Sequence, residues 1–378
     1  MQLIKKQERL GEAAFGLGIF IQLLIMVVGY GEWEMPFRGR LLQAAFVLFC
    51  IKILVTYYSK KQWIMMTALG IVGAVSYLFT KEEYVVSVVV MIFAAMNIDM
   101  KKWCKRIWLM AILVTIVTAV LSVIGIGGVP VDIRDYGRGG EEARWCFGFG
   151  HANNFHGTVW YLTALFVYLF FEKMDWKQYA LLTVGNIILF YFTISKGGLI
   201  AVQLVIIAAC LLRYWKDLRN QAWIYVCSFL AILGVFGISM VSVSIEWSRS
   251  SILLFLDRIF TGRINLAYQY ANISTWKWIS SAGELGVVDN GWVTVFFNYG
   301  YLIGFLFLLF HVCLIYKTWK EKNAVLLILV MTCVFYTFME ATYTVNNAYL
   351  LSNISYLSAM ILIAGKREPE NEPKQIKG

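Results

Sequence analysis

Long apolar stretches separated by short polar ones make up most of the chain. Twelve such stretches can be placed, at 13–30, 41–58, 63–80, 84–98, 107–127, 157–171, 179–195, 197–214, 222–244, 291–315, 324–339 and 348–365. Stretches this long can satisfy their backbone hydrogen bonds inside a bilayer as helices. The pattern therefore predicts an all-α integral membrane protein with about 12 transmembrane helices, forming one polytopic membrane domain over 1–378.

Composition supports this prediction. The chain is 60% hydrophobic and only 15% charged, whereas soluble domains carry about 25% charged residues. The first apolar stretch is predicted to be a retained span, because the Gly31-Glu32-Trp33-Glu34 segment after it is a poor signal-peptide cleavage site. The seven cysteines show no CxxC or CxxH spacing, so neither a metal site, a disulfide framework nor a cofactor is predicted.

The distribution of Lys and Arg predicts the orientation. With both termini in the cytoplasm, 21 of the 33 Lys and Arg residues fall in inner segments and 11 in outer ones, while Lys52 lies within a span. This bias matches the excess of positive charge found in cytoplasmic loops. Membrane topology thus explains the net charge of +10 without a nucleic-acid partner.

Two predicted outer loops, 128–156 and 245–290, are much longer than the other connections. Long loops in compact proteins are usually functional or disordered. Their aromatic residues favour order, and we expect short helices lying against the membrane surface. The polar tail 366–378 is predicted to be a disordered cytoplasmic segment.

The cations of the two long loops are mostly arginine. Lys277 is accompanied there by Arg134, Arg138, Arg144, Arg249, Arg258 and Arg263. Guanidinium groups bind phosphate bidentately and stay charged when partly desolvated. The alternative is that these arginines pair with acidic residues of the same loops, which are Glu141, Glu142, Glu246, Asp257 and Glu284.

The end of the first loop combines glycines with neutral polar side chains. His151, Asn153, Asn154 and His156 offer hydrogen-bonding groups suited to sugar hydroxyls. A zinc site on the two histidines would need further ligands that the neighbouring sequence does not offer, so no metal is predicted. Helix capping by Asn153 or Asn154 is an equally good interpretation.

Three further polar residues lie at predicted outer span ends. Lys196 could bind an anion, although a lysine that extends to the interface needs no function. Asp289 and Asn290 precede the tenth span. The acid could cap the helix, or it could be a carboxylate whose pKa burial raises for use as a base.

Four segments resemble the O-antigen polymerase and O-antigen ligase superfamily, the Wzy-type membrane glycosyltransferases of bacterial surface polysaccharides. The segments, which are similar to family motifs in the same order along the chain, are Gly148-Phe-Gly-His-Ala-Asn153, Thr193-Ile-Ser-Lys196-Gly-Gly, Thr261-Gly-Arg263 and Asp289-Asn290-Gly-Trp. Two departures matter. Lys196 replaces the usual Arg, and Asp289 replaces the His that ligases use, which makes ligase activity the less expected one.

The resemblance implies a GT-C-like polymerase in the bacterial cytoplasmic membrane. It would join oligosaccharide repeat units linked to undecaprenyl diphosphate, in a metal-independent and inverting transfer. Arg263, with Arg144, Arg258 and Lys196, would hold the diphosphate; Asp289 is the first candidate for the base and His151 the second. Besides lipid-linked sugars and membrane lipid, the implied partners are a flippase and a chain-length regulator of the same pathway.

Other functions are open at this point. A ligase-type transferase and a transporter of lipid-linked sugars are the main alternatives. Transporters place ionisable residues or broken helices at mid-membrane, and here no proline lies within a predicted span. A sensor or scaffold would need a cytoplasmic module, and the longest inner segment is the short tail.

Overall fold

The computed structural model describes residues 2–30, 37–135, 140–260, 262–273, 276–280, 288–341 and 347–364. Arg138, Thr261, Glu284 and the tail 366–378 lie outside these ranges. Within them the chain forms fourteen α-helices and two short strands, β1 and β2. The helices are α1 Gln2–Tyr30, α2 Arg38–Leu54, α3 Lys60–Thr80, α4 Tyr84–Ala94, α5 Met100–Val123, α6 Ala152–Phe170, α7 Trp176–Thr193, α8 Lys196–Tyr214, α9 Ala222–Ser244, α10 Ser251–Ile259, α11 Arg263–Ile273, α12 Gly291–Lys320, α13 Ala324–Met339 and α14 Ile354–Ala364.

The mostly helical architecture of a multi-pass membrane protein is confirmed. Each of the twelve predicted apolar stretches contains a helix, namely α1–α9 and α12–α14. In the described chain, six helices are long and apolar enough to cross a membrane: α1, α3, α5, α8, α9 and α12. Three shorter helices, α4, α13 and α14, are also apolar. The count of twelve crossings and the GT-C-like arrangement stay predictions.

A two-residue turn joins α7 and α8. Helix α7 ends at Thr193, Ile194 adopts φ +50° in the left-handed region, and the Ser195 side chain caps α8 by accepting from Gly198 N–H at 3.3 Å. A β-branched residue is strained at positive φ. The turn therefore separates two helices as the sequence predicts, at the expense of local backbone strain.

The predicted short helices are confirmed only in the second long loop, which contains α10 and α11. The prediction is wrong for the first loop, which forms an antiparallel hairpin of β1 (Val131–Asp135) and β2 (Glu141–Trp145), with Val131 opposite Trp145. Six of the ten strand residues are charged; the opposed residues Asp132 and Arg144 are buried, whereas Ile133 is 63% exposed. We call the end of the helical bundle that carries this hairpin, α10 and α11 the loop end.

An ion-pair cluster marks the opposite end of the bundle. Arg213 near the end of α8 and Arg219 both contact Glu172, at 3.1 and 2.7 Å. Arg213 Nε also donates to the Met174 carbonyl at 3.1 Å. The end of α6, the start of α7 and the end of α8 thus meet here.

Helix α12 is broken at Gly300, where φ is +86°. The N–H groups of Tyr301 and Leu302 donate to the carbonyls of Lys277 and Trp278, at 3.0 and 3.1 Å, instead of continuing the helical ladder. A Cβ at Gly300 would lie 2.6 Å from the Trp278 carbonyl oxygen. Only glycine allows this close approach of loop backbone to helix, so the kink fixes the second long loop against α12.

Candidate functional site

Arg263, the first residue of α11, lies at the centre of a polar cluster at the loop end. Its side chain is 13% exposed, and it pairs with Asp289 through Nε at 3.3 Å and with Glu340 through Nη2 at 3.3 Å. Nε also donates to the Met339 carbonyl at 2.9 Å. A guanidinium held by two carboxylates and a helix-terminal carbonyl is fixed in position before any ligand arrives.

Glu340 is the buried partner in this cluster. It directly follows α13, its side chain is 11% exposed, and Asn153 Nδ2 donates to its Oε1 at 2.8 Å. Burial raises the pKa of Glu340 to about 7, with Asp289 raising it further and Arg263 opposing the shift. Sequence reasoning missed this residue, although a lone acid directly after an apolar span was an available signal.

Four helices begin around Glu340. Asn153 is in the first turn of α6, Arg263 opens α11, and Asp289 lies just before α12. Helix α8 begins nearby as well, because a Cβ at Gly197 would lie 3.9 Å from the Met339 side chain. Helix N-termini carry about half a positive charge each. Their convergence, together with Arg263 and Lys196, favours an anionic ligand at this end.

The two residues before α12 have different roles. The Asp289 side chain is 49% exposed, so its carboxylate reaches solvent. Asn290 is buried, and its Oδ1 caps α12 by accepting from Trp292 N–H at 3.1 Å while its Nδ2 donates to Ser239 at 3.1 Å. Asn290 therefore caps α12, and the Asp289 side chain pairs with Arg263 instead.

The histidine at the end of the first loop caps a helix. His151 Nδ1 accepts from the Asn153 N–H at 3.1 Å, so the cap predicted for Asn153 or Asn154 is made by His151. Burial and Arg134 lower the pKa of His151. A neutral ring whose Nδ1 accepts carries its proton on Nε2, which leaves it poorly prepared to act as a base. Asn154 Nδ2 donates to the Phe149 carbonyl at 3.2 Å.

His156 faces the helix core. It has no exposed surface; Nδ1 lies 3.0 Å from the Thr193 hydroxyl and Nε2 lies 2.9 Å from Asn186 Oδ1. A Cβ at Gly198 would lie 2.4 Å from the ring. In this structure the predicted sugar-binding role does not fit His156, because both ring nitrogens are occupied in bonds from α6 to α7 and the ring packs against Gly198 of α8.

Several other arginines of the two long loops form ion pairs with acidic residues close to them in sequence. Arg144 on β2 is 5% exposed and pairs with Glu142 at 2.5 Å, as the ion-pair alternative predicted. Arg134 pairs with Asp132, and Arg249 with Glu246, in the same local way. These pairings account for the hairpin and exposed-loop arginines. They also show that Arg263 differs, since its partners come from distant segments.

Of the cations predicted to bind the substrate, two are exposed. Lys196 at the start of α8 and Arg258 on α10 are exposed. Next to Arg258, Asp257 is buried and accepts from the Asn265 N–H at 2.9 Å, which secures the start of α11. Exposed Lys196 and Arg258 are therefore accessible to an incoming anion.

Chemically, the cluster can bind an anion on Arg263 and accept a proton on a carboxylate. In the described chain, no three His, Cys, Asp or Glu side chains come together as metal ligands. Comparison with protein-family models, with curated proteins and with solved structures finds no match. The family resemblance of the four segments stays a prediction.

Proposed function

We propose that the chain is a membrane glycosyltransferase that polymerises lipid-linked oligosaccharide repeat units on the outer face of the cytoplasmic membrane. The donor is a growing chain on undecaprenyl diphosphate, and the acceptor is a hydroxyl of an incoming lipid-linked unit. The product is a capsular, exo- or O-antigen polysaccharide. The observation that carries the proposal is Arg263, held by Asp289 and Glu340 where four helix N-termini meet.

The departing diphosphate is the difficult charge in this reaction. Preorganised donors in a partly dry site stabilise a charge that develops in the transition state, and removing one such donor costs about 2.7–4 kcal/mol in subtilisin. Arg263 is largely buried and already oriented. Exposed Lys196 and Arg258 add positive charge along the approach, which raises the rate at which an anionic substrate is captured.

The membrane setting suits a lipid-linked substrate. Helix α10, which leads to Arg263, exposes Ile252, Phe255 and Ile259 on one face. Residues three and four apart lie on the same side of a helix. An apolar face next to a cationic group matches the two halves of a polyprenyl diphosphate.

The test is polymer length in a strain whose only copy carries Arg263→Ala, scored by gel separation of the surface polysaccharide, with membrane abundance of the protein measured alongside. We expect single repeat units to accumulate while the protein stays abundant. Arg263→Lys should also fail to restore full length, because a lysine keeps the charge but loses the bidentate fork.

The matched control is Arg249→Ala, an 80% exposed arginine of the same loop that pairs only with its neighbour Glu246 among the described residues. We expect wild-type polymer from it. Unchanged polymer in Arg263→Ala would overturn the proposal and favour transport or scaffolding.

A further inference from the structure

The two oxygens of the Glu340 carboxylate have different surroundings. Oε1 accepts from Asn153 Nδ2 at 2.8 Å and from Arg263 Nη2 at 3.3 Å. Within the described chain Oε2 accepts no hydrogen bond, and the side chain keeps 11% of its surface exposed. The carboxylate is thus anchored by one oxygen, while the other has no bond within the described chain.

The Glu340 carboxylate is largely enclosed by neighbouring segments. The charged groups that act on it are Arg263 from α11 and Asp289 before α12, while α6 contributes the neutral amide of Asn153. Burial raises the pKa of Glu340 to about 7. A group with a pKa near the working pH is the most effective proton acceptor.

The two other carboxyl or imidazole candidates are less suitable by geometry. Asp289 is half exposed, so water competes with a sugar hydroxyl for its oxygens. His151 already uses Nδ1 as the acceptor that caps α6. Glu340 combines enclosure, fixed orientation and one available oxygen, which neither Asp289 nor His151 does.

We propose that Glu340 is the catalytic residue that takes the proton from the acceptor hydroxyl. This inference rests on the proposed polymerase function and replaces Asp289 as the base. The acceptor oxygen forms a bond to the anomeric carbon as the bond from that carbon to the diphosphate oxygen breaks. The hydroxyl proton passes to Glu340 Oε2, and the electron pair leaves with the diphosphate, whose negative charge Arg263 stabilises. Glu340 then returns the proton to water.

Asp289 has a different part in this scheme. It occupies the more exposed side of Arg263, where an anionic donor would arrive. The diphosphate takes the place of this carboxylate beside the guanidinium, whereas the buried contact with Glu340 persists. Arg263 thus contacts both the leaving group and the base.

The experiment uses the full chain in proteoliposomes with lipid-linked repeat units extracted from cells that lack it. Glu340→Gln keeps an oxygen acceptor for Asn153 and Arg263 but cannot take a proton at neutral pH. We expect turnover to fall by about 100- to 10,000-fold, with donor binding within a few-fold of wild type. Wild-type turnover should rise with pH through about 7 and then level off, and this rise should vanish in Glu340→Gln.

Two further variants separate catalysis from positioning. Glu340→Asp keeps a carboxylate and should recover part of the turnover together with a pH-dependent rise, even if Glu340→Gln were poorly folded. Asp289→Asn should keep a pH-dependent rise in turnover but shift it to lower pH, because the Asp289 charge that raises the pKa of Glu340 is removed.

The outcomes distinguish the inference from the function on which it rests. If the wild type is active and Glu340→Gln is also active with the same pH profile, the assignment of Glu340 as the base is overturned. A residue that only positions other groups would give this result. Loss of turnover in Asp289→Asn alone would make Asp289 the base. A wild-type protein that never joins the repeat units would overturn the polymerase proposal itself, whatever the variants do.

Discussion

His156 offers a direct test of whether a polar residue near the site acts in packing or in binding. Its ring has no exposed surface and bonds Thr193 and Asn186, which both lie on α7. Hydrogen bonds between membrane helices contribute on average about 0.6 kcal/mol each and at most about 1.7. Loss of both, with about 1–2 kcal/mol for the cavity, gives about 2–4 kcal/mol of destabilisation for His156→Ala.

A second substitution makes the prediction more specific. A Cβ at Gly198 would lie 2.4 Å from the His156 ring, so Gly198→Ala should destabilise the wild type by about 1–3 kcal/mol through overpacking. In His156→Ala the ring is gone but the Cβ of residue 156 still lies 2.7 Å from the added methyl, so the cost of Gly198→Ala should fall without disappearing. The matched control is Gly185→Ala in α7, where a Cβ would meet open space.

The assay is the apparent unfolding midpoint in detergent of the wild type, the two single variants, the double variant and the Gly185→Ala control. Polymer length per folded molecule is measured in cells. We expect a coupling free energy of about 1–3 kcal/mol between the two positions and near-normal polymer in His156→Ala at permissive temperature. Unchanged unfolding with lost polymer would refute the packing role and return His156 to the sugar site.

Three other predictions follow from described contacts. Gly300→Ala should lower membrane abundance strongly, because its Cβ would lie 2.6 Å from a carbonyl at φ +86°, whereas Gly234→Ala in open space should be tolerated. Between pH 4.5 and about 7 the native protein binds more protons at Glu340 than the unfolded chain, so stability should fall by up to about 3 kcal/mol as pH rises through this range; the slope should disappear in Glu340→Gln. Glu172→Gln should shift the unfolding free energy by less than about 1 kcal/mol, and this shift should become smaller as salt is added, because Glu172 is 66% exposed beside Arg213. A larger shift in denaturant unfolding would contradict this.

The helices were predictable because the apolar runs in this chain are long and the polar segments between most of them are short. The second loop was predictable in kind, since α10 keeps its apolar residues at helical spacing. The hairpin was missed because its five-residue strands are mostly charged and were judged only by their aromatic neighbours.

The site was predictable in part. Arg263 and Asp289 stand out as charged residues beside apolar segments, and the structure places them 3.3 Å apart. Glu340 was missed because its role depends on Arg263 and Asn153, whose segments lie far away in sequence. Spacing alone also could not separate Asn290 and His156, which bond neighbouring helices, from residues that face a ligand.

The contacts of Glu340 also bear on how the protein is made. Its partners Asn153 and Arg263 precede it by 187 and 77 residues, so both are synthesised well before it. Chains emerge from the N-terminus, and the long loop between α9 and α12 must wait for α13 before Arg263 has its buried partner. A chain interrupted before residue 340 would therefore insert most of its helices yet leave Arg263 with half-exposed Asp289 but without its buried carboxylate. The segment that directly follows α13 thus decides whether the earlier segments become a working site.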